Sequence, residues 1–324
     1  MSKTILLLSD YPDDASFLTH VCAATGAKLQ LAANVADTIE FLAAEPCSAI
    51  FLDVTKTKNL NAFEIEAQKR FGLFADQIQH QKFHFISEVP LHENRDVIKS
   101  PFFGSFYERP KEDIEENGKY YGRFVQASEQ MMTHNLKHFL GDAARVQTVT
   151  LTHTDQKGEA AEAVRQYLIK AKVPVRISNL ISNTVDELLM NAIFDAPVDD
   201  LGKQKYSHAS RNESRALTGA EQVTMALGFD GFRFGVSVTD RFGSLDQSKL
   251  LNHISLNPKN REYTPQAGQA GAGLGIASIN SSGGSLIYHC EAGVKTEVNL
   301  LCRVYPGFKE FREQFRFFSA KYYV

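Results

Sequence analysis

Short apolar runs alternate with amphipathic stretches through the first hundred residues. Thr4–Leu8 is such a run and ends at Ser9-Asp10. Asp13-Asp14 open a helical pattern through Ala24, with Phe17, Leu18, Val21 and Cys22 on one face and Gly26 as its stop. Lys28–Ala32 predicts a second strand, and Val35–Ala44 a second helix with Ile39, Leu42 and Ala43 inward. Ser48–Leu52 predicts a third strand ending at Asp53; Phe83–Ile86 and Ser105–Tyr107 supply a fourth and a fifth. Buried runs separated by helices predict an N-terminal doubly wound parallel sheet of the α/β class. Chemistry in such sheets gathers at the carboxyl ends of the strands, where Asp10 and Asp53 could meet.

The pattern then changes. Lys111–Gly118 is charged and ends in glycine, a natural boundary, and Tyr120–Gly141 reads as one helix carrying His134 and His138. Thr148–Thr152 predicts a strand, and Gly158–Ala171 and Ile177–Ala196 predict helices. In the second helix Glu187, Asn191 and Asp195 recur every four residues, as a polar stripe on an otherwise apolar element. Glu221–Leu227 and Phe232–Thr239 predict a strand pair turning at Asp230-Gly231, and the second strand runs into Asp240-Arg241-Phe242-Gly243. After a polar stretch comes Gly268-Gln269-Ala270-Gly271-Ala272-Gly273-Leu274-Gly275, then strands at Ser285–His289 and Gly293–Leu300. Glycines this dense before a helix let backbone N–H groups approach an anion. The mixture of helices and paired strands predicts a C-terminal α+β sandwich with a mixed sheet.

Composition narrows the partners. Thirty-five Lys and Arg against 38 Asp and Glu leave a net charge of −3, which gives no footprint for nucleic acid or an anionic membrane surface. No apolar run reaches the roughly 18 residues of a membrane span, and the start is too short in apolar residues for a signal peptide. Four scattered cysteines without a C-x-x-C pair argue against a zinc site or a disulfide framework and fit a cytoplasmic protein.

Two resemblances follow from these motifs. The first 113 residues resemble a response-regulator receiver domain: Asp53 matches the phosphoacceptor, Asp10 the acidic Mg²⁺ ligand, Ser87 the fourth-strand hydroxyl, and Arg109-Pro110 stands where the family carries Lys-Pro. The acidic pair is reduced to Ser9-Asp10 and the proline after the acceptor is missing. Residues 146–304 closely resemble the GHKL (histidine kinase-like) ATPase superfamily, nearest in style to anti-sigma-factor and sensor kinases. That resemblance implies Glu187 as general base, Asn191 as Mg²⁺ ligand, Asp240 as acceptor for the adenine amino group, Thr296 near adenine, and Gly271, Gly273, Leu274 and Gly275 as a phosphate-cradling box. Gly243 belongs to the first glycine box, whose first glycine position holds Phe242. Asp195 stands where these kinases often carry Lys or His, so the basic phosphate contact is unassigned.

The implied protein is a cytoplasmic signalling protein of the two-component or phosphorelay kind. Its cofactors are ATP and Mg²⁺, and it transfers phosphate to a partner protein. The expected layout is a receiver-like domain (1–113), a linker helix (114–145), the ATP-binding domain (146–304) and an aromatic helical tail (305–324). A homodimer could form through the 120–141 helix or the tail. Alternatives are a non-catalytic nucleotide switch and a histidine kinase using His134 or His138. Leu201–Thr218, with Lys203, Lys205, Arg211 and Arg215, reads as an extra solvated loop.

Overall fold

The computed structural model describes residues 3–72, 78–129, 136–206, 208–211, 213–255 and 283–323. The chain is of the α/β class and divides into two compact units. One comprises Met1–Phe139 with Phe317–Lys321, the other Leu140–Arg316 with Tyr322–Val324.

The first unit is built on β1 (Thr4–Leu8), β2 (Lys28–Leu31), β3 (Ala49–Asp53), β4 (Phe83–Ser87) and β5 (Ser105–Glu108), paired in parallel in the order β2-β1-β3-β4-β5. Every residue of β3 and β4 is buried, as expected of central strands covered on both faces. The connecting helices are α1 (Pro12–Thr25), α2 (Val35–Ala44), α3 (Thr57–Phe71) and the short α4 (Arg95–Lys99). Local chemistry sets their ends. Gly26 closes α1 in the left-handed region, its N–H bonded to the Cys22 carbonyl, and the Asn34 side chain caps α2 at the Asp37 N–H.

The expected linker helix is something else. α5 (Ile114–Glu129) lies against α1 within the first unit, and a separate short helix, α6 (Leu136–Leu140), follows. Glycine decides this. A Cβ at Gly118 would sit 2.7 Å from His20 Cβ, and one at Gly122 would sit 2.6 Å from Ala24 Cβ, so the two backbones approach only because both positions are bare. The apolar face of α5 is spent there, with Tyr121 and Phe124 fully buried.

The tail also departs from expectation. Only Phe308–Glu313 is helical (α10), and Phe317–Tyr323 forms strand β11, antiparallel to β5 with Phe318 opposite Phe106. Phe317 packs against Phe124 at 4.7 Å and Tyr121 at 5.0 Å between ring centroids. Aromatic, alternating residues suit a pleated surface, and the open edge of β5 supplies the hydrogen-bonding partner that a lone sequence pattern lacks.

The second unit contains an antiparallel sheet in the order β9-β10-β8-β7-β6. Its strands are β6 (Arg145–Leu151), β7 (Val223–Phe229), β8 (Arg233–Asp240), β9 (Ser285–Glu291) and β10 (Lys295–Arg303). The β7–β8 hairpin turns where expected: Asp230 Oδ1 accepts the N–H groups of Phe232 and Arg233, and Gly231 takes a φ of 101°. Helices α7 (Gln156–Lys170) and α8 (Val175–Met190) pack on each other, joined by the Ser182 hydroxyl donating to the Ala161 carbonyl. α9 (Gln247–Ser255) follows β8. Among the described residues no helix is long and apolar enough to cross a membrane.

The bare α1–α5 crossing yields a test. Gly122→Leu should destabilise the first unit by about 1–3 kcal/mol through overpacking, read as a lowered urea midpoint. An unchanged midpoint would mean that the helices do not meet there.

Candidate functional site

The second unit encloses a cavity of about 160 Å³ between α8, α9 and the strands β8, β9 and β10. An apolar cavity of about 150 Å³ takes a benzene-sized ring, so this volume suits a planar heterocycle. Two cross-strand pairs contribute to its lining: Asp240 opposite Thr296, and Val238 opposite Val298. Period-two alternation puts all four on one face.

Asp240 is the charged centre of this site. Its Oδ1 accepts the Phe242 N–H at 2.9 Å and the Gly243 N–H at 3.4 Å, and Thr296 adds bonds from main chain and hydroxyl. Burial pushes its pKa up to about 6 against those donors. Gly243 makes the turn possible. At a φ of +57° it lies so close to the β9–β10 turn that a Cβ would fall 2.0 Å from the Glu291 carbonyl oxygen, while its own carbonyl accepts the Gly293 N–H. Phe242 does not line the cavity; its ring lies under the Lys205 ammonium, 6.0 Å away.

The opposite wall comes from α8 and its extension. Leu188, Asn191, Ala192 and Asp195 line the cavity in an i, i+3, i+4, i+7 stripe. Asn191–Asp195 is a wide π-type turn closed by the Ala196 N–H on the Asn191 carbonyl. Such turns often mark functional positions.

Glu187 departs from the expected shared stripe: it borders a separate open groove with Ser182, Asn183 and Asp186, on the α7 side of the helix. Four residues advance about 40° around a helix, which turns Glu187 from Asn191 toward α7. Its pKa is raised, first by burial and then by neighbouring Asp186. The box Gly271, Gly273, Leu274 and Gly275 and the candidate His134 lie outside the described residues. His138 is an exposed residue of α6.

The described residues of the 201–218 segment include several anchored side chains. Arg215 donates to Glu221 at 2.8 Å and to the Ile193 carbonyl at 3.1 Å, and stacks over the Tyr206 ring at 3.6 Å. Thr154 accepts the Arg215 N–H and donates to the Glu213 carbonyl. Gln204, from this segment, lines the cavity, as do Ser244, Lys249 and His253. The α9 residues fall in what reads from sequence as a polar stretch, and nothing in the sequence marks Gln204. Arg211 donates to both oxygens of Asp195, at 3.1 and 3.5 Å. Burial raises the Asp195 pKa and this guanidinium opposes the shift.

In the first unit the expected meeting of Asp10 and Asp53 does not occur. Asp10 is exposed, and the carboxylate that joins Asp53 through a shared cation is Asp14. Arg109 donates to Asp14 through Nε and Nη2, both at 2.8 Å, and reaches Asp53 Oδ1 at 3.3 Å and Glu88 at 3.2 Å. Its guanidinium lies 3.7 Å over the Tyr11 ring. Asp53 Oδ1 also accepts the Thr55 N–H at 3.0 Å and hydroxyl at 2.6 Å. Burial opposes the charge on Arg109, but the Asp14 bond and the fields of Asp14, Asp53 and Glu88 outweigh it and raise its pKa. Ser87 is fully buried, its hydroxyl accepting the Val89 N–H. The sequence held a signal for Asp14: it precedes Phe17 by three residues and Val21 by seven, on the buried stripe of α1.

Arg109→Met leaves two buried carboxylates without their cation. It should cost about 3–5 kcal/mol of stability, measured by urea denaturation at pH 7. A loss below about 1 kcal/mol would show that solvent already screens the cluster. Compared with known proteins, the chain matches no protein-family model and no curated protein.

Proposed function

We propose that the second unit is a GHKL-type domain that binds an adenine nucleotide with Mg²⁺, and that the protein is a cytoplasmic signalling protein. The observation that carries this reading is the buried Asp240 facing a ring-sized cavity beside Thr296, with Asn191 on the facing wall. A buried carboxylate beside an apolar slot is matched by the exocyclic amino group of adenine, which donates where the protein already supplies the acceptor. Asn191 would offer one oxygen to Mg²⁺. A magnesium ion held through nucleotide phosphates needs only one or two protein oxygens.

Bound ATP supplies the transferable phosphoryl group. Glu187 is the group to take the proton from an acceptor hydroxyl of a partner Ser or Thr. It borders an open groove that a partner can enter, and its pKa is raised toward that of a general base. The receiver-like first unit is the regulatory module. Because three donors already converge on Asp53 Oδ1, we read it as a partner-sensing unit held by Arg109 rather than as a phosphate acceptor.

A second reading, a nucleotide-dependent switch without transfer, is favoured by the placement of Glu187 outside the cavity. Glu187→Gln separates the two. If transfer operates, partner labelling from radiolabelled ATP should fall by about 100-fold or more at unchanged nucleotide affinity. Undiminished labelling removes the general-base role.

Asp240 gives a pH test. Adenine's amino group prefers the ionised carboxylate, so ADP affinity measured by calorimetry should hold at pH 7 and weaken about tenfold per unit as pH falls below about 6. Asp240→Asn should weaken binding at pH 7 and flatten that dependence. A wild-type profile flat from pH 7 to 5 would overturn the role of Asp240.

A further inference from the structure

The receiver resemblance implies a Mg²⁺ ion held between Asp10 and Asp53, and the residues present do not fit one. Asp10 is exposed. The carboxylate that comes to Asp53 is Asp14, in the first turn of α1, and the space between them is taken by Arg109. One nitrogen makes the junction: Nη2 donates to Asp14 Oδ2 at 2.8 Å and to Asp53 Oδ1 at 3.3 Å. It stands at the point where a divalent ion bridging the two carboxylates would bind. The other nitrogens reach Asp14 Oδ1 at 2.8 Å and Glu88 Oε1 at 3.2 Å.

Neutral donors engage the same oxygens. Asp14 Oδ2 accepts the Ser9 hydroxyl at 2.6 Å, and Asp53 Oδ1 accepts the Thr55 N–H and hydroxyl. The side chains of Asp14, Asp53 and Arg109 are 2 %, 4 % and 9 % exposed, so little water reaches the junction. An entering ion has to displace a guanidinium bonded through three nitrogens and stacked on Tyr11. That competitor belongs to the chain, so its effective concentration at the site stays high. The converse also holds. Without the guanidinium, two buried carboxylates and the exposed Glu88 converge on one gap, an arrangement that hard, oxygen-seeking cations fill.

We infer that Arg109 is the resident cation of the first unit: it holds the place of a divalent ion between Asp14 and Asp53, makes this unit independent of Mg²⁺, and conceals a divalent-cation site formed by Asp14, Asp53 and Glu88. The inference rests on the reading of Asp53 as a residue that takes no phosphate, and extends it to the metal.

Mn²⁺ titration of the full chain without nucleotide, followed by electron paramagnetic resonance, tests it, because Mn²⁺ takes the same oxygen ligands as Mg²⁺. Wild type should show no binding that depends on Asp53 up to millimolar Mn²⁺. Arg109→Met should gain about one ion per chain, and adding Asp53→Asn to it should abolish the gain. The urea midpoint that Arg109→Met lowers should rise again with Mg²⁺, whereas the wild-type midpoint should not respond. If Arg109→Met does not fold even with Mg²⁺, Arg109→Lys decides through Mn²⁺ binding above the wild-type level, since a compact ammonium covers fewer of these oxygens. Wild-type binding that Asp53→Asn abolishes, or the absence of any gain in both Arg109 variants, overturns the inference. In the latter case the reading of Asp53 stands. Labelling of Asp53 by radioactive acetyl phosphate, in a wild type that binds no Mn²⁺, sinks that reading alone.

Discussion

The site in the second unit depends on a carboxylate kept in a place where water would not leave it. Asp240 ends β8 inside the fold, and its ionised form is supported by the amides of Phe242 and Gly243 and by Thr296 across the ladder. Those donors do not fully offset burial, so its pKa sits near 6. The sign follows. A folded-state pKa above that of the unfolded chain adds stability at low pH that is lost as pH rises from about 4 through about 6. The ligand-free fold therefore carries a cost at neutral pH, of roughly 1–3 kcal/mol. Under the nucleotide reading proposed above, a donor arriving in the cavity would offset part of that cost.

The turn after Asp240 explains why Phe242 does not obstruct the cavity. Gly243 presses against the β9–β10 turn with no room for a side chain. That fixes the chain direction and sends the Phe242 ring outward to Lys205. One glycine at the close approach does the steric work, and the neighbouring position tolerates an aromatic ring because it points away.

The acidic cluster of the first unit follows a related rule with the opposite outcome. Three carboxylates converge on one guanidinium supplied by β5's exit, which bridges them. Arginine does there what a hard cation does in an oxygen site, but it is covalently part of the chain and cannot dissociate. It grips Asp14 bidentately and stacks on Tyr11. It ties the first turn of α1 to the ends of β3 and β5.

Sequence periodicity alone determined much of this protein. The five parallel strands, α1 and α2, and the β7–β8 hairpin with its Asp230-Gly231 turn were legible because each depends on local pattern or turn chemistry, whereas Asn191, Asp240 and Thr296 were singled out through a family resemblance. Tertiary structure decided the rest. α5 looked like a linker because its two glycines acquire meaning only when α1 lies across them. The tail's aromatics fit helix or strand equally until β5 offered an edge. Asp14 displaced Asp10, Glu187 left the stripe of Asn191, and Arg211 found Asp195 sixteen residues away. Each outcome turns on which distant group arrives to share a charge or fill a gap. Local propensity is blind to such choices because the energy that settles them belongs to pairs far apart along the chain.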